Sequence, residues 1–353
     1  MSWPPSPEPQ LIVPTTAQPS MPFHILSLSG GGYFGLYTIS ILADIEERIG
    51  APLGTRFDLI AGTSVGGIIA IGIANEIPAA RIKQAFERNG TEIFSARHPP
   101  RTAIGKFVDV LRCVIKPKYD PGALRNTIIE IIGDDTRIGD LKHPCLIPTV
   151  CLTKGGPQIF KTSHHADFSR DHRLKAVDVA LATAAAPSYF PIAEIEDGLY
   201  ADGGLYANSP DLIALHEAEH FFEVDSANIR ILSIGTTTSK FSFAHDAGTR
   251  FGLLQWTMGQ RLVQAILSSQ QQIVDHVARH RLGSRYVRLD TEQSREQERA
   301  LSLDTAHPDA QRTIRAMAAV TVQAALANPD LAPFLSHISA SPKFFHHPAL
   351  QKA

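Results

Sequence analysis

Cysteine, surplus charge and long apolar runs are all scarce in this 353-residue chain, and each scarcity closes off a class of function. The three cysteines, Cys113, Cys145 and Cys151, form no C-x-x-C pair and are too few for a disulfide framework. They predict buried, inert thiols in a reducing compartment. Lys plus Arg number 33 against 35 Asp plus Glu, a formal charge of −2, so the bulk electrostatics point to no nucleic-acid polymer. No run of about 18 uncharged apolar residues occurs, so no helix is expected to span a bilayer. A lipid substrate would have to be reached from the water side. No cofactor box or metal site is read from the sequence, and none is expected. The proline-rich residues 1–21 lack a positively charged apolar core and read as a disordered lead rather than a signal peptide.

What is present suits one large α/β domain over residues 22–345, with a core at about 22–240 and a largely helical part at about 241–345. A chain that is 44% hydrophobic and 19% charged has enough apolar surface to fold without staples. His24 to Ser29 reads as a short buried strand, followed by Gly30-Gly31-Gly32 and a helix from about Gly35 to Ile49. A second strand, about Phe57 to Ala61, completes a βαβ unit. Such units have parallel strands, so both glycine-rich strand ends fall on one edge of the sheet. Helices are expected at about Ala79–Phe94, Lys175–Ala184 and Ala310–Ala327, and along 252–282. Strands are expected at Cys145–Leu152, Gln158–Thr162, Ile229–Ile234 and Arg285–Leu289. The stretch near 97–121 reads as an inserted loop or lid.

The second strand runs into Gly62-Thr63-Ser64-Val65-Gly66, a G-x-S-x-G sequence, and an apolar helix-compatible run follows it. In that context the pattern is a candidate nucleophile elbow, with Ser64 lifted from the sheet and Gly62 and Gly66 allowing close approach. The bland alternative is a glycine turn with a serine N-cap. Gly30 to Gly35 allows two readings. It can present converging N–H groups to an oxyanion, or it can be a G-x-G-x-x-G dinucleotide loop. The dinucleotide reading wants an acidic residue at the end of the second strand, and Asp58 stands at its start instead. A base for Ser64 could come from one of fifteen histidines, His245 among them, or from Asp202 in the Asp202-Gly203-Gly204 turn.

Taken in order, Gly30-Gly31-Gly32-x-x-Gly35, Gly62-Thr63-Ser64-Val65-Gly66 and Asp202-Gly203-Gly204 resemble the patatin-like phospholipases. Ala184 to Pro191, Gly204 to Pro210 and Leu232 to Thr236 agree, and the resemblance spans about residues 22 to 240. It implies a patatin-like three-layer α/β sandwich, a mostly parallel central sheet with helices on both faces. It implies acyl-ester hydrolysis of membrane phospholipids through an acyl-enzyme. Ser64 would be the nucleophile, Asp202 the base, and Gly30, Gly31 and Gly32 the oxyanion hole, with no histidine required. Two positions depart from the pattern: many members carry Asp and Arg or Lys where this chain has Ser29 and Phe34. The hole is therefore expected to lack its usual nearby cation.

The glycine run, the helix after it and the compact length are also similar to the bacterial anti-phage subgroup of patatin-like effectors. That subgroup is switched on by a cyclic dinucleotide to degrade the cell's own membrane. The resemblance implies a cyclic dinucleotide activator and a cytoplasmic homo-oligomer that contacts the inner membrane peripherally when active. Nucleotide sensing and self-association would then fall in the last hundred residues. There, apolar residues from Leu253 to Val277 recur at helical spacing, which reads as a helix packed on the domain or as a dimerisation or membrane-contact face.

Overall fold

The computed structural model describes residues 21–94, 117–237 and 261–346, with four isolated residues between 249 and 256. The proline-rich lead, nearly all of the stretch read as a lid, Cys113 and His245 lie outside the described residues. The chain builds one eight-stranded mixed sheet in the order β5-β6-β3-β2-β1-β7-β8, with β4 on the other side of β3. The strands are β1 (Phe23–Leu28), β2 (Leu59–Gly62), β3 (Cys145–Cys151), β4 (Gly156–Lys161), β5 (Ala193–Ile195), β6 (Gly198–Asp202), β7 (Ile229–Ile234) and β8 (Tyr286–Leu289). The pairs β1–β2, β1–β7, β2–β3 and β7–β8 are parallel. Those made by β4, β5 and β6 are antiparallel. The patatin-like sandwich is thus present, and its parallel half, β3-β2-β1-β7-β8, includes the strands that lead into the glycine loop and the serine.

The parallel strands are apolar on both faces, as strands covered twice must be. Leu26, Ile60, Leu232 and Ile234 face the larger core. Packed on it are α1 (Gly35–Ile49), α2 (Val65–Ala74), α3 (Ala79–Phe94), α4 (Pro121–Ile132) and α5 (Ala176–Thr183). Alternate residues Ile25, Leu59, Ala61, Ile229 and Ile231 face a smaller core. After the single turn α6 (Gly204–Ala207), that side is covered by α7 (Asp211–His220) and α8 (Arg261–Leu282). Helices α9 (Arg295–Ala300), α10 (Pro308–Leu326) and α11 (Ala332–Ser336) complete the chain. Residues past 240 are no layer apart: β8 extends the central sheet, and Ile314, Met317 and Phe334 sit in the larger core.

The register of β3 positions the site. Its first half pairs with β2 (Ile60 with Cys145, Ala61 with Leu146), and its second half pairs with β6 (Thr149 with Asp202). Both partners lie on the side of β3 that β4 leaves free, because β4 pairs with Leu146 and with Thr149 as well. Being parallel and antiparallel to β3, β2 and β6 run toward each other. Their C-terminal tips meet beside Ile147 and Pro148.

Candidate active site

Ser64 stands just past the tip of β2 with φ 55° and ψ −127°, a backbone conformation that non-glycine residues avoid. The turn is held by Thr183, whose Oγ1 accepts the Ser64 N–H at 3.0 Å and donates to Pro148 O at 2.7 Å. Close packing explains the flanking glycines. A Cβ on Gly62 would lie 2.1 Å from Gly66 O, and a Cβ on Gly66 would lie 2.4 Å from Leu28 O. Backbone cannot swing aside as a side chain can. Gly66→Ala is therefore expected to destabilise the fold by about 1–3 kcal/mol through overpacking of α2 on β1, read as a lower urea midpoint. An unchanged midpoint would mean that the elbow has slack.

Asp202, the last residue of β6, is 5% exposed. Ser64 Oγ donates to its Oδ2 at 2.7 Å, and the Gly204 N–H donates to its Oδ1 at 2.7 Å. Burial pushes its carboxyl up to about 6, against the lowering effect of those two hydrogen bonds. A carboxylate with that affinity for a proton can take one from an alcohol and return it near neutral pH, whereas a solvated aspartate holds protons too weakly. Among the described residues no histidine lines the cavity at Ser64.

The triple glycine lies against this pair, as the βαβ reading requires: a Cβ on Gly30 would be 3.1 Å from Ser64 Cβ. The N–H of Gly30 donates to Asn208 O at 2.9 Å and that of Tyr33 to Leu303 O at 2.7 Å. Those of Gly31 and Gly32 have no acceptor among the described residues. The Gly30 N–H, one of the three read as an oxyanion hole, is thus already taken by Asn208, and its carbonyl is held by Thr236 Oγ1 at 2.8 Å and by Asn208 Nδ2 at 3.3 Å. Gly32 has φ +54°, and a Cβ there would meet Leu303 O. The 301–306 segment thus fixes the loop from above.

A cation is nearer than the sequence led us to expect. Arg288 on β8 brings its guanidinium within 3.4 Å of Ser29 Oγ, at the base of the glycine loop. It also donates to Ser233 Oγ at 2.7 Å and pairs with Asp290 at 2.9 Å. Its side chain is 5% exposed. Alternation along a short edge strand gave no sign of this, because an arginine there reads as solvent-facing.

Ser64, Asp202, Gly31 and Gly32 open onto a cavity of about 140 Å³ whose other walls include Ile68, Phe86, Ile93, Phe94, Leu124 and Phe190. Asp202 is the one charged side chain lining it among the described residues. The space suits a hydrocarbon chain. It offers no cation to a pyrophosphate, and Asp58 lies at the opposite end of β2, bound to His337 Nε2 and to the N–H groups of His24 and Ala340. The dinucleotide reading of Gly30–Gly35 therefore finds no cation among the described residues lining the cavity and no acidic residue at the strand end for a ribose.

Comparison with known proteins agrees with the motifs. A family model described as patatin-like phospholipase matches residues 26–215. Over 328 residues the chain is 41% identical to a cGAMP-activated phospholipase of Pseudomonas aeruginosa, covering 92% of this chain and 96% of that protein. A cGAMP-activated phospholipase of Vibrio cholerae is 40% identical over 303 residues, 80% of this chain and 85% of that one. A third, from Escherichia coli, is 36% identical over 304 residues, 80% of this chain and 83% of its own.

Proposed function

Because the chain belongs to the patatin-like phospholipase family, a family of lipid acyl hydrolases, we propose that it cleaves fatty acyl esters of membrane phospholipids with a Ser64–Asp202 dyad. The observation that carries this reading is the 2.7 Å hydrogen bond from Ser64 Oγ to a buried carboxylate, in a cavity whose other described lining residues carry no charge. Asp202 takes the Ser64 proton as Oγ attacks the ester carbonyl carbon. The negative charge then gathers on the carbonyl oxygen, within reach of the Gly31 and Gly32 N–H groups. Collapse breaks the bond to the alcohol, which leaves with the proton from Asp202. Water, deprotonated by the same carboxylate, attacks the acyl-enzyme, and the proton returns to Ser64 as the fatty acid departs. The acyl chain lies among Phe86, Ile93, Phe94 and Phe190 throughout.

The second part of the proposal is control by a cyclic dinucleotide, supported by three relatives named for activation by cGAMP at 36–41% identity. The enzyme would rest in the cytoplasm and act on the inner membrane when that signal appears. The test is release of fatty acid from phosphatidylethanolamine–phosphatidylglycerol vesicles, with and without cGAMP. We expect at least a tenfold rise on adding it. Equal rates in both arms would sink the regulatory part, and no release in either arm, with other cyclic dinucleotides also tried, would sink the hydrolase assignment on this substrate.

A further inference from the structure

Helix α8 carries thirteen successive residues without a charge, Leu262 to Val274, although much of that stretch faces water. Leu262, Val263, Ile266 and Ile273 are 45%, 41%, 39% and 57% exposed. At 100° per residue, Leu262, Ile266 and Ile273 fall within about 40° of one another around the axis, with exposed Ser269 at the edge of that stripe. Val263 and Leu267 lie on the flank next to that stripe and line the Ser64 cavity, together with Ile266. The single turn α6 abuts α8, where Gln270 Nε2 donates to Leu205 O at 3.0 Å. Leu205 is itself 45% exposed and lines the same cavity. Its surroundings, Gly203 to Pro210, are also free of charge. Of the thirteen large apolar side chains exposed among the described residues, five stand on α6 and α8. Three of the five, Leu205, Val263 and Ile266, are also walls of the cavity, so exposed apolar surface and cavity lining are continuous there.

We propose that this rim, Leu205 with the Leu262–Ile266–Ile273 stripe, is the surface by which the protein seats on a lipid bilayer. The proposal rests on the acyl-hydrolase reading of the cavity that the rim borders. The choice of occupant follows from continuity: Leu205, Val263 and Ile266 are rim and cavity wall at once. A protein partner or second copy seated there would seal the cavity, whereas a bilayer delivers an acyl chain across the same side chains. The absence of charge along the rim makes the attachment apolar, by insertion of side chains below the headgroups.

Vesicle sedimentation tests this with Leu262→Ser/Ile273→Ser, two exposed positions that do not line the cavity. Wild type, with cGAMP present, is expected to sediment with phosphatidylcholine vesicles equally at 50 and 500 mM NaCl. The double variant should lose about tenfold in vesicle affinity, while hydrolysing a soluble p-nitrophenyl butyrate monomer at the wild-type rate. Undiminished binding by the double variant would overturn the proposal, as would wild-type binding that disappears in high salt. A dimer that dissociates in the variant while vesicle binding is kept would assign the face to a second copy instead. If wild type binds vesicles through this rim yet hydrolyses neither ester nor lipid, the catalytic reading fails and the rim stands.

Discussion

Asp202→Asn is expected to remove hydrolysis and at the same time to make the protein more stable. The amide keeps the shape of the carboxylate, and its oxygen can still accept the Gly204 N–H that Asp202 Oδ1 accepts at 2.7 Å. It cannot take a proton from Ser64, so turnover should fall about 10³-fold, within the range measured for loss of a general base. The stability gain follows from the raised carboxyl. Because burial pushes Asp202 from 3.8 to about 6, the folded protein binds this proton more tightly than the unfolded chain. Between those two values stability falls as pH rises, and above about 6 the full penalty of holding the carboxylate ionised remains. The raised carboxyl corresponds to about 3 kcal/mol, an upper figure for what the amide recovers. Urea denaturation of wild type and variant should give similar midpoints near pH 4 and a widening advantage for the variant up to pH 7. In parallel, wild-type kcat/KM should drop tenfold per pH unit below about 6. Substantial residual turnover would remove Asp202 from the role of base. A variant less stable at pH 7 than wild type would mean that the carboxylate is better solvated or paired than its burial indicates.

The sequence exposed some parts of this arrangement and hid others, for reasons that depend on contact range. Glycines at strand ends and helical periodicity are local signals, and they placed β1, α1, β2 and α2 with the serine on the same edge as the triple glycine. Helices α1 and α3 begin and end at the residues that periodicity marked, Gly35–Ile49 and Ala79–Phe94. Helix α4 carries a readable start signal, with Asp120 as its cap and Pro121 opening it, but the loop-like stretch it adjoins masks the pattern. Asp202 could not be tied to Ser64 by spacing at all. The two are 138 residues apart (202 − 64), and they meet because β2 and β6 share one flank of β3 from opposite ends. That register is long-range information, and only the family resemblance pointed to it. Arg288 shows the reverse case, a residue that neither pattern nor resemblance marked. Its burial depends on β8 lying beside β7 and on Asp290, Ser233 and Ser29 converging around it.

Replacing Ser64 by alanine and by glycine should separate the chemistry at this residue from the strain it bears. Both substitutions remove the Oγ, so both should lower hydrolysis by about 10⁴-fold or more, as loss of a serine nucleophile does elsewhere, and both should abolish labelling by a fluorophosphonate. Their stabilities should differ. At φ 55° and ψ −127° a Cβ is held in a region that costs about 1–3 kcal/mol for a residue other than glycine. Alanine retains that Cβ and its strain; glycine relieves it, at an unfolded-state entropy cost of about 0.5–1 kcal/mol. The glycine variant should therefore be more stable than the alanine variant by about 1 kcal/mol, measured as a difference in urea midpoint at pH 7. Packing alone gives no reason to keep a serine here, since the Thr183 contact uses only its backbone N–H. A strained nucleophile beside a buried ionised base is a pair of residues that each lower stability. If alanine proves as stable as glycine, the elbow is relaxed, and the case for Ser64 rests on its hydrogen bond to Asp202 alone.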